Sequence, residues 1–284
     1  GAADAPESSG ARKFSLRPLR LRNNSQSTMN AILPLFVRWD VNPTMISIGS
    51  FEIRYYGLMW ALALGISAYI FSRIIKREGY PDKLFDSIFW YGVLSTIIGA
   101  RLGHCLFYDP GYYLTHPVEI LYIHQGGLAS HGAAVGLLVG LWLFSRKNKM
   151  PYIWSLDRIA IAVGIAGALV RIGNLMNSEI YGHATSLPWG FVFVRAGETQ
   201  PMHPTQIYEA AAYLVLFGIL CWMYYGPKLA LRRPGLMFGF FLIYLFGFRF
   251  LVEFIKNPQE EFERTMTLNM GQWLSIPFIV LGIV

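Results

Sequence analysis

The chain has 284 residues and a formal net charge of +7, with 54% hydrophobic and only 14% charged residues. Soluble domains carry about 25% charged residues, so this composition argues against a soluble globular protein and excludes disorder over most of the chain. The cysteines, Cys105 and Cys221, lie in separate apolar runs, which argues against a disulfide framework and against a zinc site with clustered ligands.

Taken in chain order, residues 1–28 come first. They are polar and lack the uninterrupted apolar core of a signal peptide. We therefore predict a polar, disordered N-terminal extension over residues 1–28 and an integral membrane domain over residues 29–284.

Apolar runs of the length that crosses a bilayer, ~20 residues, follow along the membrane domain. They predict transmembrane helices at Tyr56–Ile75, Ile88–Phe107, Gly127–Phe144, Leu156–Leu175, Ile207–Tyr225 and Gly235–Ile255. A seventh apolar segment starts near Gln272 and continues to Val284, and we expect this last span to be truncated there. The predicted fold is an all-α polytopic membrane protein with seven transmembrane helices and a small extracytoplasmic head region.

Basic residues alternate from one predicted loop to the next. The odd-numbered loops hold Arg73, Lys76, Arg77 and Lys83, then Arg146, Lys147, Lys149 and Arg158, then Lys228, Arg232 and Arg233. Because Lys and Arg accumulate in cytoplasmic loops, these loops are predicted to be cytoplasmic, with the N-terminus outside and the C-terminus inside. The positive charge is thereby explained by orientation, and we expect no nucleic-acid partner.

Small residues recur at helix-packing spacing in two predicted spans. Gly132, Gly136 and Gly140 follow each other at intervals of four in the third span, and Gly99 and Gly103 do so in the second. Such residues allow helix backbones to approach closely in lipid, so we predict close packing along these ridges.

Arginines lie inside three of the apolar runs. Arg101, Arg171 and Arg249 each follow the predicted cytoplasmic end of their span by about 13 or 14 residues, which places each roughly 20 Å across the membrane. A single arginine at this depth can extend outward to water. Three at one depth predict a shared polar site, because a buried cation without a partner is costly.

Further polar residues fall at the same predicted level, toward the outer leaflet. They are Tyr56, His131, Asn174, Asn177, Glu179, Glu209 and Glu253. Glu253 follows Arg249 by four residues, a spacing that permits an ion pair on one helix face. Arginines with histidine and carboxylates suit a phosphate, so the physical prediction is a site for an anionic lipid headgroup, with no metal or cofactor.

Several strings in this sequence resemble one family. They are RYYGLMWALAL from Arg54, GARLGHCLFYD from Gly99, GGLASHGAAVG from Gly126, VRIGNLMNSEIYG from Val170, HPTQIYE from His203, FGFRFLVEFIK from Phe246 and MGQWLSIP from Met270. In this order they resemble the phosphatidylglycerol–prolipoprotein diacylglyceryl transferases of bacterial inner membranes. The resemblance implies transfer of the diacylglyceryl group of phosphatidylglycerol to the lipobox cysteine in the signal peptide of a prolipoprotein, with release of glycerol phosphate.

The resemblance, taken with the depth estimate, assigns roles to particular residues. Catalytic roles are predicted for His131, Arg171, Arg249, Glu179 and Glu253, and phosphatidylglycerol binding for Tyr56, Arg101, Arg171, Asn174, Gly182 and Arg249. The expected location is the bacterial inner membrane, with the active site toward the outer leaflet. Val170 and Ser178 replace glycines of the family pattern beside this site, which puts the local backbone shape in question.

Alternative interpretations stay open at this point. A transporter or flippase for an anionic lipid or solute would also place polar groups within spans, although such proteins favour repeats and midplane sites, and no repeat is found here. A structural membrane scaffold would leave the aligned arginines unexplained. His131 is either the general base for the thiol or a neutral histidine that ties helices together.

Overall fold

A computed structural model describes residues 36–49, 51–107, 110–122, 127, 129–257 and 267–284, so the predicted extension over residues 1–28 lies outside the described residues. Helices dominate these residues: α1 Tyr55–Arg77, α2 Asp82–Phe107, α3 Pro110–Thr115, α4 Ser130–Asn148, α5 Tyr152–Met176, α6 Thr205–Tyr225, α7 Leu229–Arg232, α8 Leu236–Val252 and α9 Met270–Ile283. Each predicted apolar span therefore coincides with a helix.

Four of the helical segments in the described part of the chain are both long enough and apolar enough to cross a membrane. They are Tyr55–Arg77, Tyr152–Met176, Thr205–Tyr225 and Leu236–Ile255. Helix α2 has 26 residues but carries charges near both ends, α4 has 19 residues, and α9 has 14. A multi-pass membrane protein is confirmed by these four helices, and seven spans stay a prediction.

The long helices pack as antiparallel neighbours. Helix α1 runs along α5, as two contacts show. The Tyr56 ring lies against Gly173 at one end, and further along the Ser67 hydroxyl donates to the Ala162 carbonyl at 3.4 Å. The main core joins α1, α5, α6 and α8 through the fully buried side chains of Ile74, Ile161, Leu216, Leu220 and Met237.

The predicted glycine ridges are confirmed as the contact between α2 and α4. The backbones of Gly99 and Gly132 touch, and a methyl group added to Gly103 would lie 2.7 Å from the Gly132 Cα atom. Only glycine permits this approach, and packing at such short range drives association of helices in lipid.

Short strands make the all-α prediction wrong in one detail. Strands β1 (Val37–Trp39) and β4 (Phe191–Phe193) pair in parallel, and β2 (Thr44–Ile48) and β3 (Phe51–Arg54) pair in antiparallel fashion. They are too short to stand out as apolar runs in the sequence. The Trp39 indole donates to the Leu175 carbonyl at 3.0 Å, so the β1–β4 sheet lies at the C-terminal end of α5.

At the opposite end of α5, an ion pair closes the bundle. The Arg158 guanidinium lies 3.0 Å from Glu78, and both side chains are buried. The Trp154 indole and the Tyr224 hydroxyl also donate to Glu78, at 2.7 and 2.8 Å. Arg158, which the sequence interpretation counted as a loop charge, is therefore part of the helix packing.

The α2–α4 contact generates a stability prediction. In Gly136→Ala the added methyl group would overlap the Ser95 carbonyl oxygen and lie 2.8 Å from the Gly99 Cα atom, so we expect a loss of about 1–3 kcal/mol. The midpoint of thermal unfolding in detergent measures this loss. Gly65→Ala in α1 is the control, since nothing lies within 4 Å of its added methyl group; equal midpoints for both variants would contradict the prediction.

Candidate active site

A fully buried carboxylate, Glu209, lies at the centre of the polar site. It belongs to the second turn of α6 and has no solvent exposure. One carboxylate oxygen lies 3.2 Å from Nη2 of Arg171 in α5 and the other lies 3.1 Å from Nζ of Lys256. The Tyr213 hydroxyl donates to the first oxygen at 3.4 Å. Glu209 therefore joins two helices and the segment after α8 in one ion-pair network.

Lys256 also pairs with Glu253, at 3.5 Å. Burial lowers the pKa of the Lys256 ammonium, and the Glu209 carboxylate opposes this effect. The predicted ion pair between Arg249 and Glu253 is wrong among the described residues. Helix α8 ends at Val252 and continues as a 3-10 helix over Glu253–Ile255, and the tighter turn brings residues three apart together.

A chain of hydrogen bonds extends from Arg171 to the loop after α5. The Arg171 guanidinium donates to Asn174 at 3.3 Å, and the Asn174 amide donates to Glu179 at 2.7 Å. The Asn177 amide donates to the same Glu179 oxygen at 3.3 Å, and the Gln206 amide donates to the Glu179 backbone carbonyl at 2.6 Å. The structure thus brings Arg171, Asn174 and Glu179 together. Hydrogen bonds from residues of α5 and α6 hold Glu179 in position.

The backbone around Glu179 shows the effect of Ser178, which stands where the family pattern has a glycine. Ser178 has a φ of 54° and Ile180 has a φ of 60°, both in the left-handed region that favours glycine. The Ser178 hydroxyl is also buried without a hydrogen-bond partner. Ser178 therefore adopts the left-handed backbone conformation of a glycine, which costs about 1–2 kcal/mol of conformational free energy. The turn that positions Glu179 is formed despite the substitution.

Arg249 differs from Arg171 in having no partner of its own. It is half-buried in the last turn of α8. Among the residues that the structure describes, its side chain has no carboxylate within 4 Å and no hydrogen bond. Its charge acts on His131, Tyr213 and Lys256. The site therefore holds a guanidinium whose hydrogen-bonding capacity is not used by the described residues.

His131 lies in the first turn of α4, and its side chain is exposed. Within the described ranges it forms no hydrogen bond to a neighbouring helix, which gives no support to the interpretation that it ties helices together. The Arg249 charge acts electrostatically on His131, so the predicted base and this guanidinium lie at the same end of the bundle.

Tyr56 and Gly182 lie at this end of the bundle as well. The half-buried Tyr56 ring contacts Gly173, one residue before Asn174. The Gly182 amide donates to the His203 carbonyl at 2.9 Å, and an added methyl group would collide with the Ile255 carbonyl oxygen. Gly182 thus allows close approach of the chain just before Lys256.

Arg101 stands apart from the ion-pair network. Its guanidinium is buried and donates to the backbone carbonyls of Glu119, Ile120 and Gly127, at 2.6, 2.8 and 3.2 Å. It also lies over the Tyr113 ring at 5.1 Å. In this structure Arg101 holds the segment between α3 and α4 against α2, and its role in substrate binding stays a prediction.

Sequence reasoning missed the central members of the site. Glu209 was noted at the right level but received no role, although a lone carboxylate in an apolar run is the signal that could have found it. Lys256 lies just beyond an apolar run, where a loop charge is the ordinary expectation, yet it is buried. Gln206 carried no signal of its own.

The arrangement is suited to binding an anion. With Glu179 included, the three carboxylates of the site balance its three cations. Within the described residues, the cation without a carboxylate partner is the planar guanidinium of Arg249. Planar guanidinium groups bind phosphate through paired hydrogen bonds. Among the described residues no group of three or more metal-ligating side chains occurs.

Comparisons with known proteins agree on one family. The family model described as prolipoprotein diacylglyceryl transferase matches residues 43–284. The phosphatidylglycerol–prolipoprotein diacylglyceryl transferase of Bacteroides fragilis is 45% identical over 267 residues, which cover 90% of this chain and 95% of that protein. Proteins of the same name from Porphyromonas gingivalis and Tolumonas auensis are 44% and 41% identical, over 88% and 87% of this chain and 94% and 95% of their own lengths.

The Glu209 network generates a second stability prediction. Glu209→Gln keeps the side-chain shape but leaves Arg171 and Lys256 without their shared carboxylate, so we expect the free energy of unfolding to fall by about 3–5 kcal/mol. Unfolding in mixed detergent micelles measures it. The control Glu52→Gln removes an exposed carboxylate 3.8 Å from Arg54 and is expected to cost less than about 1 kcal/mol; a similarly small effect at Glu209 would argue against a stabilising network.

Proposed function

The chain belongs to the prolipoprotein diacylglyceryl transferase family, so it is a transferase of lipoprotein biogenesis, and we propose that the site around Arg171 and Arg249 carries out the transfer. The substrates are phosphatidylglycerol and a prolipoprotein, as the names of the relatives state for those proteins. The acceptor is the cysteine thiol of the prolipoprotein lipobox. Neither a nucleic-acid partner nor a cofactor is needed for this reaction.

The observation that carries this proposal is the unpaired guanidinium of Arg249 beside the network of Arg171. Arg171 is held by Glu209 at 3.2 Å and keeps 14% of its side chain exposed. Arg249 has no carboxylate partner in the described part of the chain, and it lies one helical turn before Glu253, which pairs with Lys256 in the same network. A headgroup phosphate bound at Arg249 would supply the anion that the described residues do not.

The reaction is a displacement at the glyceryl carbon that bears the phosphate. The thiolate sulfur forms the new carbon–sulfur bond, and the carbon–oxygen bond breaks with its electron pair passing to the departing glycerol phosphate. His131 takes the thiol proton, since the thiolate is the nucleophile. Arg249 and Arg171 stabilise the negative charge that grows on the leaving phosphate, and holding both substrates in line lowers the barrier further.

The remaining predicted residues position these groups. Asn174 links Arg171 to Glu179, at 3.3 and 2.7 Å, so Glu179 acts by fixing the orientation of the guanidinium. Glu253 holds Lys256 beside Glu209. Tyr56, at the start of α1, is placed to hydrogen-bond the glycerol headgroup, because its hydroxyl forms no hydrogen bond to the described residues.

We further infer that the site faces the outer leaflet of the bacterial inner membrane. The C-terminal ends of α1 and α4, which carry Arg73, Lys76, Arg77, Arg146 and Lys147, lie at the end of the bundle opposite to Arg171. Basic residues mark the cytoplasmic side. This orientation puts the N-terminal end of α1 outside and supports a bundle of seven spans with the strands in an external head.

The transporter interpretation finds no support in the comparisons, because relatives at 41–45% identity bear transferase names. The polar network also lies at one end of the bundle, whereas transporters bind near the midplane.

The first test uses purified protein, phosphatidylglycerol and a synthetic lipobox peptide, with mass spectrometry of the peptide as the measurement. We expect a mass increase of one diacylglyceryl group. Arg249→Lys should reduce the rate at least about tenfold, because a lysine cannot form the paired hydrogen bonds of a planar guanidinium. Arg195→Lys is the matched control, since Arg195 is exposed and pairs with Asp40 at 3.2 Å outside the site. An unmodified peptide with the parent protein would refute the function, and a near-normal rate for Arg249→Lys would refute only the role of Arg249.

The second test addresses the base. His131→Asn should lower turnover by about 10²–10⁴-fold, with little change in phosphatidylglycerol binding. Raising the pH toward the thiol pKa of about 8.5 should partly restore the rate, because more of the peptide thiol then ionises without help. His116→Asn, an exposed histidine bonded to Thr115 and Tyr112, is the control. Loss of lipid binding in His131→Asn, or no recovery at high pH, would make His131 a binding residue.

A further inference from the structure

A cavity lined by basic side chains lies at the end of the bundle opposite to the proposed active site. It measures about 310 Å³ and is bounded by Arg73, Lys76, Arg77 and Tyr225. A second cavity of about 310 Å³ adjoins it and is lined by Arg77, Glu78, Tyr80, Tyr224, Lys228 and Leu231. Because both cavities share Arg77, we treat them together as the basic groove.

The basic groove lies a bilayer thickness away from Arg171. It is formed around the C-terminal end of α1, whose 23 residues span roughly 35 Å. Tyr56, at the N-terminal end of the same helix, contacts Gly173 beside the Arg171 network. A ligand in the groove therefore cannot reach the proposed catalytic residues, and the groove is a separate site.

The positive charge of the groove is not compensated by the protein. Among the described residues, Arg73, Lys76, Arg77 and Lys228 have no carboxylate within 4 Å. Glu78 is the acidic residue of the groove, and it is already held by Arg158 at 3.0 Å, with further hydrogen bonds from Trp154 and Tyr224. The exposed cations thus remain free to bind an anion.

Aromatic side chains surround these cations. Arg77 lies over the Tyr225 ring at 4.7 Å and near the Tyr224 ring at 6.0 Å. Tyr69 precedes Arg73 by one turn on α1 and is 66% exposed, and Trp222 precedes Tyr225 by one turn on α6 and is 64% exposed. Both rings lie on the side of the groove toward the centre of the membrane, where aromatic residues line lipid chains near the headgroups.

These features distinguish a binding site from charges that only orient the chain. Orientation requires basic residues in a loop, but it does not require that cations from α1 and from the segment after α6 converge on one cavity. Free phosphate would be satisfied by the cations alone and would leave the exposed rings without a role. A phospholipid uses both parts, because its phosphate meets the cations and its chains meet the rings.

We propose that the basic groove binds the headgroup of an anionic phospholipid in the leaflet opposite to the one that supplies the reaction. Arg73, Lys76 and Arg77 contact the phosphate, and Tyr69 and Trp222 contact the first part of the acyl chains. This lipid is not consumed, since the groove lies about a bilayer thickness from the proposed catalytic residues, and its binding links α1 to α6.

The test is a titration of the full chain in phosphatidylcholine nanodiscs with phosphatidylglycerol, followed by native mass spectrometry of the retained lipid. The triple variant Arg73→Gln, Lys76→Gln, Arg77→Gln should bind phosphatidylglycerol at least about tenfold more weakly at one site. The matched control Arg146→Gln, Lys147→Gln, Lys149→Gln removes the same charge from the same end of the bundle, outside the groove, and should bind like the parent. Equal losses in both variants would overturn the proposal in favour of a general surface charge.

Three further arms separate the remaining outcomes. In an Arg249→Gln background, the triple glutamine variant of the groove should lose as much bound lipid as it does in the parent protein. A smaller loss would mean that the groove and the Arg249 site bind the same lipid. The proposal would then fail whether or not the enzymatic function holds. The conservative variant Arg73→Lys, Arg77→Lys should retain binding, which guards against misfolding of the glutamine variant. Displacement of the lipid by excess inorganic phosphate, or equal retention of phosphatidylcholine, would refute an anionic lipid site.

Discussion

The sharing of one buried carboxylate between two cations determines the arrangement of the site. Glu209 has no solvent exposure and contacts both Arg171 and Lys256, so α5, α6 and the end of α8 are locked at a single relative position. Charges buried in this way are stable only when every partner is present. Because Lys256 pairs with both Glu209 and Glu253, neither of these carboxylates lies within 4 Å of Arg249, and no other described residue supplies one.

The described residues form an ion-pair network at each end of the bundle. The two networks differ in whether their charged groups keep unused hydrogen-bond donors. The Glu78–Arg158 pair is buried, and hydrogen bonds from Trp154 and Tyr224 complete it. At the other end Arg171 is partly exposed and Arg249 has unused donors. The Glu78–Arg158 network joins helices, whereas the network around Arg171 leaves room for an anion. On the proposed function, similar residue types therefore serve packing at one end and chemistry at the other.

The sequence predicted the features that depend on local pattern. The lengths of the apolar runs predicted the long helices, and the spacing of small residues predicted the contact between Gly99 and Gly132. The sequence string around Arg171 predicted that Asn174 and Glu179 lie beside it. Features that depend on helix ends were not predictable. Beyond Glu253 the chain tightens to a 3-10 helix, which turns Lys256 inward to pair with Glu253. Arg249 lies one regular helical turn before Glu253, but no ion pair joins them. The short strands lack any apolar run that could reveal them.

The unpaired guanidinium raises the question of how the bundle tolerates it at membrane depth. An unpaired cation there is costly, and a protein selected for stability alone would place a carboxylate beside Arg249. The family reaction supplies a different counterion, because the substrate itself carries a phosphate. On the proposed function, a lipid phosphate beside Arg249 stabilises the resting bundle before any acceptor arrives. In the proposed mechanism, departure of glycerol phosphate exposes the Arg249 guanidinium again and favours entry of the next lipid. The lack of a carboxylate beside Arg249 among the described residues would then serve substrate binding, leaving-group stabilisation and turnover.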